Sequence, residues 1–146
     1  MLDFVTFQRA HIDLFEPAEA YKDFPDLYAT MLDGLGAIAQ AGTHMIDKRI
    51  MYLSGYYEVL PGNWEVIIIP SIHLPNHKKA IIKDIRMWLK AIHEKTGCRR
   101  LQTYGEPTDL QDRWLTCLGF KCDGTMPEYD VDGDKRMWSI TTWQDS

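Results

Sequence analysis

Apolar positions along the chain change their period several times, and each change predicts an element. Phe4, Val5, Thr6 and Phe7 are aromatic or β-branched and precede a polar, proline-containing segment, which predicts an opening strand. Residues 18–24 carry a mixed signal; Pro25 then starts a helix in which Leu27, Met31, Leu35 and Ile38 recur at helical spacing. Gly34 and Gly36 weaken that helix, each by about 0.5–1 kcal/mol relative to alanine, and leave a break or hairpin as the alternative. Residues 43–46, a turn at Asp47 and Lys48, and the Ile-, Tyr- and Val-rich run 49–59 predict an antiparallel hairpin. After the turn signal Pro61, Gly62, Asn63, residues 64–70 form an apolar run suited to a central strand buried on both faces, with one acid, Glu65, embedded in it.

The second half is as regular. Ile81, Ile85, Trp88 and Ile92, joined by Ile82 and Leu89, make one apolar stripe, with Lys83, Arg86 and Lys90 on other faces. Gly97 closes this helix and a strand over 99–104 follows. Thr108 or Asp109 caps a shorter helix that runs to Leu118 and stops at Gly119. Two β segments, 120–126 and 135–143, joined across Asp132 and Gly133, end the series. Runs of strands interleaved with a few helices predict an α+β fold.

Composition narrows the class. With 146 residues, 45% hydrophobic and 25% charged, the chain suits one compact domain, residues 1–146, and leaves no room for a second. Sixteen Lys and Arg against 21 Asp and Glu give a net charge of -5, which argues against nucleic-acid or anionic-membrane partners. The longest apolar run, 66–69, falls far short of the roughly 20 residues that span a bilayer, and the opening MLDFVTFQRA lacks the regions of a signal peptide. Cys98, Cys117 and Cys122 are odd in number and lack CxxC spacing, so a reducing cytoplasm is the expected setting and buried, inert thiols the default.

Few side chains stand out chemically. A carboxylate in an apolar strand, as at Glu65, is costly unless it is paired or reaches a cleft; alternation after Trp64 also permits a solvent-facing acid. His73 and His77 are separated by Pro75, which breaks the helical face an HxxxH pair needs, and Cys117 and Cys122 are not a zinc knuckle, so no metal is expected. Asp130, Asp132 and Asp134 fit a hairpin turn better than a calcium loop. Tyr56, Tyr57 and Trp64 suit sheet packing.

Arg113, Trp114, Leu115, Thr116, Cys117, Leu118, Gly119, Phe120, then Gly124, Tyr129, Asp132 and Gly133, resemble the carboxyl-terminal half of the GCN5-related N-acetyltransferase (GNAT) superfamily. The preceding Trp-Glu strand, long helix and RRLQ strand extend the resemblance back to about residue 43, and the small acetyltransferase-like proteins of bacteriophages, some of them virion components, are the members it resembles most. The resemblance implies a mixed, mostly antiparallel sheet with helices on both faces. It also implies an acyl-CoA cosubstrate whose pantetheine arm lies between strands 64–70 and 99–104, on the backbone of Ile67, Ile68 and Ile69. The family's glycine-rich pyrophosphate turn is replaced here by His73, Asn76 and Lys78, with Pro75 removing a donor; Lys78, Lys79, His73 and His77 offer charge instead.

Thr108 stands at the family's helix-starting asparagine. Glu65 matches the strand base; the tyrosine acid falls on Leu115, beside Trp114, so Tyr104 or Tyr129 becomes the substitute donor. The implied activity is acyl transfer to an amine of a protein or small molecule by a monomer or homodimer in the cytoplasm. The alternative is an inactive domain that binds a host or virion protein, for which the aromatic hairpin Tyr52, Tyr56 and Tyr57 offers an interface.

Overall fold

The computed structural model describes residues 2–19, 25–130 and 133–143. Its elements are β1 (Asp3–Thr6), α1 (Ala10–Leu14), α2 (Pro25–Gly36), β2 (Gly42–Ile46), β3 (Arg49–Leu60), β4 (Asn63–Pro70), α3 (Lys78–Thr96), β5 (Arg100–Gly105), α4 (Asp109–Cys117), β6 (Lys121–Asp130) and β7 (Gly133–Ile140). The strands follow the order β1-β2-β3-β4-β5-β7-β6 in one sheet. β1 with β2, β2 with β3, β5 with β7 and β6 with β7 pair antiparallel, whereas β4 and β5 are parallel and joined by the long crossover helix α3. The α+β class and the mostly antiparallel sheet are therefore as expected. The short helix α1, which also begins within the polar stretch after β1, has no periodic signal in the sequence because five residues hold barely one turn.

The chain forms two compact units, Met1–Tyr57 with Val66–Asp84, and Glu58–Glu65 with Ile85–Ser146. In the first, the β2–β3 hairpin closes on Asp47 and Lys48 at φ 49° and 64°. Two successive left-handed residues give the loop the twist that matches its strands. Helix α2 survives its glycines because tertiary contacts outweigh propensity: Leu35 is fully buried against Phe15, Ala41, Ile50, Leu53 and Ile69, and Met31 and Ile38 pack on the same cluster. Leu27, expected on this stripe, has no described side chain. Gly55 is what lets α2 approach, since a Cβ there would stand 2.9 Å from Leu35 Cδ1 and 3.3 Å from Ile38 Cδ1. Leu53 and Gly55 thus face α2, so Tyr52 and Ser54, one residue out of phase, face the other side of β3. There Tyr52 meets α3 through Asp84. Tyr52 and Tyr56 are buried, at 0% and 8% exposure, and do not form the expected exposed aromatic interface, because β3 is an interior strand.

In the second unit, Gly62 at φ 82° turns the chain into β4 and its carbonyl accepts the N–H groups of Arg99 and Arg100. Gly97 ends α3 at φ 66°, its N–H bonded to His93 O at 2.8 Å. Thr108 caps α4, its Oγ1 accepting from Gln111 N at 3.2 Å. Cys98 is buried as expected, whereas Cys117 and Cys122 are exposed: one ends α4 and the other lies on the edge strand β6. Asp132 lies outside the described residues. Among the described residues, no helix is long and apolar enough to cross a membrane.

Candidate functional site

β4 and β5 bring the sequence candidates together. Their parallel register runs Asn63↔Arg100, Trp64↔Leu101 and Glu65↔Gln102. Neighbours in register share a face of the sheet, as do residues two apart on one strand, so Glu65, Gln102 and Tyr104 point the same way. Gln102 Nε2 donates to Glu65 Oε1 at 2.9 Å, and the Tyr104 hydroxyl is hydrogen-bonded to both Glu65 and Tyr129. Glu65 is only 8% exposed, so the solvent-facing alternative does not hold. Burial, the hydrogen bond to Tyr129 and the Glu65 charge push the Tyr104 phenol above its ordinary pKa, which keeps it protonated and able to donate.

Tyr129 arrives by a backbone irregularity. β7 separates β5 from β6, and a regular β6 would hold Tyr129 about 10 Å from β5, two ladder spacings away. The β6–β7 register instead jumps between Met126 and Asp130, and Glu128 takes a left-handed φ of 45°, its N–H bonded to Asp134 Oδ1 at 2.9 Å. That bulge places the Tyr129 ring on Tyr104, with centroids 5.3 Å apart, while Tyr129 stays half exposed. The face continues to Glu106, whose Oε1 lies 2.9 Å from Lys135 Nζ in a buried ion pair.

The remaining expected positions are dispersed. Leu115 is buried on α4 and packs at Gly105, where an added Cβ would meet its Cδ1 at 2.7 Å and Trp138 Nε1 at 3.3 Å. Ile68 and Ile69 are buried and Ile67, half-buried, packs on the α2 cluster, so these side chains serve the core. Lys78 and Lys79 are exposed in the first turn of α3 after a 3-10 turn, Leu74–Asn76. His73 Nε2 stands 3.8 Å from Glu16 Oε1. Thr108 Oγ1 is engaged as the α4 cap. Among the described residues, no group of three potential ligands could hold a metal.

One cluster escaped the sequence reading. His44 Nδ1 lies 3.2 Å from Asp84 Oδ2, His44 Nε2 lies 2.7 Å from Ser54 Oγ, and the Tyr52 hydroxyl donates to Asp84 Oδ2 at 2.6 Å. A carboxylate only accepts, so the imidazole carries its proton on Nδ1 and takes the Ser54 proton at Nε2. Burial, outweighing the hydrogen bond and charge of Asp84, depresses the His44 pKa and keeps the ring neutral. Burial opposes ionisation of Asp84 too, but hydrogen bonds from His44, Tyr52 and the Leu2 N–H hold its carboxyl below the usual range. The order of hydroxyl, imidazole and carboxylate is that of an activated serine, yet Ser54 is 0% exposed. Phe4 packs over Gly42, the cross-strand partner of Ser54, where a Cβ would come within 2.3 Å of the Phe4 ring. A substrate has no route to this hydroxyl, and the cluster acts as a polar tie between β2, β3 and α3. Its signal was Asp84 itself, three residues from Ile81 and four from Trp88, inside the apolar stripe.

No family model matches the sequence, and no curated protein sequence matches it. Solved structures do. An acetyltransferase of Bacillus subtilis, solved with CoA, superposes with a TM-score of 0.71 over 98% of this chain and 100% of its own, at 12% identity. Aminoglycoside 6'-acetyltransferase type Ii gives 0.67 over 99% of both chains at 13% identity, and a GNAT-family acetyltransferase from Bacillus anthracis gives 0.62 over 77% of this chain and 71% of that one at 11% identity. The strand order, the parallel ladder at β4 and β5 and these superpositions give the chain the fold of the GNAT acetyltransferases.

Proposed function

We propose that this protein is a GNAT-superfamily acyltransferase that moves an acetyl group from acetyl-CoA to an amine of a small molecule or protein. The observation that carries the reading is Glu65: a buried carboxylate on β4, at the last rung of the parallel ladder, hydrogen-bonded to a tyrosine held in its protonated form. The likeness in fold to the CoA-bound Bacillus subtilis enzyme supports acyl-CoA as the cosubstrate.

Each group then has a role. Glu65 takes a proton from the acceptor ammonium, freeing the nitrogen lone pair to form the new C–N bond at the thioester carbonyl. Collapse of the tetrahedral adduct breaks the C–S bond, the departing sulfur takes a proton from the Tyr104 hydroxyl, and the second proton on the new amide nitrogen is released to solvent, from which half-exposed Tyr129 can replenish Tyr104. The acyl-CoA contacts proposed for the first unit are the backbone of Ile67, Ile68 and Ile69 and the side chains of His73, Lys78 and Lys79.

The test is calorimetric titration with acetyl-CoA and CoA, followed by thiol release from acetyl-CoA in the presence of simple primary amines and polyamines. Micromolar binding is expected, together with turnover that Glu65→Gln lowers about 10²–10⁴-fold while CoA affinity stays unchanged. No binding at millimolar CoA, or full turnover by Glu65→Gln, overturns the reading; the first result turns attention to the protein-binding alternative.

A further inference from the structure

Behind Glu65 runs a line of hydrogen-bonded side chains. Asp123 Oδ2 accepts from Arg100 Nη2 at 2.7 Å, Arg100 Nε donates to Gln102 Oε1 at 3.0 Å, and Gln102 Nε2 donates to Glu65 Oε1 at 2.9 Å. The donors and acceptors along it allow one direction only. A guanidinium has no acceptor, so the Gln102 carbonyl must face Arg100 and its NH₂ must face Glu65. An amide without that anchor can rotate by half a turn and present an oxygen to the carboxylate at little cost in shape. Strand geometry sets the line: Arg100 and Gln102 share a face of β5, and Gln102 is the register partner of Glu65. Asp123 reaches Arg100 from β6.

We propose that Gln102, locked in orientation by Arg100 and Asp123, is the positioning residue that holds the Glu65 carboxylate aimed for proton abstraction. The proposal rests on the reading of Glu65 as base and adds how this chain keeps it poised. Glu65 is buried, so the contacts that would otherwise come from water must come from fixed donors. Gln102 supplies one and Tyr104 another, leaving the hydroxyl side open to exchange protons during turnover while the amide side cannot titrate. The groups facing Glu65 include Gln102 and Tyr104 from β5, with Tyr129 behind Tyr104, Arg100 and Asp123 behind Gln102, and the Glu106–Lys135 pair farther along the same face. β4 itself carries no other titratable side chain.

The experiment follows the Glu65 side-chain carboxyl by ¹³C NMR through a pH titration of the full chain labelled in glutamate. Wild type is compared with Gln102→Met, Gln102→Glu and Arg100→Met, and Glu65→Gln assigns the resonance. Gln102→Met is expected to raise the Glu65 midpoint by about one pH unit, because a hydrogen bond to the charged form is lost. Gln102→Glu, which keeps the Arg100 contact but sets a second carboxylate on Glu65, should raise it further, and Arg100→Met should raise it by less than Gln102→Met.

The acid limb of thiol release from acetyl-CoA, with ethylamine as acceptor, is expected to move with the midpoint while the KM for acetyl-CoA is unchanged. Midpoints within about 0.2 unit of wild type in all three variants overturn the proposal. If a Gln102 variant fails to fold, Arg100→Met, at the edge of the line, decides alone. Failure of the base reading is a separate result: Glu65→Gln would then retain turnover, whatever the carboxyl titrations give.

Discussion

Two of the buried carboxylates, Asp84 and Glu65, are surrounded by the same kinds of partner and put to different uses. Asp84 sits among donors that are themselves enclosed: Tyr52 at 0% exposure, His44 at 3% and the Leu2 N–H. Every proton in that cluster has an assigned place, so it ties α3 to β2 and β3 and exchanges nothing. The donors to Glu65 include one of that fixed kind, Gln102, and a hydroxyl whose hydrogen bonds lead through Tyr104 to Tyr129 at 49% exposure. A buried acid with an exit toward water is suited to taking and returning a proton; one without an exit is suited to holding secondary structure together. The resemblance of the first cluster to an activated serine shows that the order of groups is insufficient when access is missing.

Mutation of the two acids is the most direct way to break this comparison. Asp84→Ala strands a buried hydroxyl, an imidazole N–H and a backbone N–H together, and is expected to cost about 3–5 kcal/mol in urea denaturation. Glu65→Gln keeps one acceptor oxygen, and the Tyr104 hydroxyl can turn to accept from the new amide, so it should cost about 1 kcal/mol or less, its penalty appearing in turnover instead. Equal losses of stability would mean that both clusters are structural.

Acid should separate them next. The His44 pKa is depressed in the folded state, so the unfolded chain binds the proton more tightly. The stability His44 contributes is complete above its ordinary value of about 6.5 and is lost as pH falls from there through the folded value. Asp84, also depressed, adds a further loss below about pH 4. Denaturation midpoints measured from pH 8 to 3 should fall in these two stages, and His44→Gln should flatten the first; a wild-type midpoint level from pH 7 to 5 would contradict it. The smallest effect concerns a residue shared between two roles: Thr108→Ala should lower stability by about 1 kcal/mol through loss of the α4 cap. If CoA affinity measured by calorimetry stays unchanged in that variant, Thr108 is a cap alone.

Much of the fold was legible along the chain. Apolar and β-branched runs bounded by turn signals mark β2, β3, β4 and β5, the 3.6 period of an apolar stripe marks α3, and the glycines at 62, 97 and 119 end elements where left-handed backbone is required. Glu65 was legible as an anomaly, an acid in an apolar run. α1 was not, and the glycine-containing α2 was ambiguous, because short or glycine-rich helices are held by tertiary contacts rather than by propensity. The partners of the acids were also invisible. Gln102 belongs to an ordinary strand, and only parallel pairing sets it beside a residue 37 positions away. Tyr129 reaches Tyr104 because a bulge in β6 carries it across an intervening strand.

Local patterning thus determined the elements, their order and the acid worth explaining, since hydrophobic period and turn chemistry act over a few residues. Strand register, burial and the routes by which protons meet water were decided by tertiary structure alone, since they depend on which distant segments pack together and on what that packing shuts out.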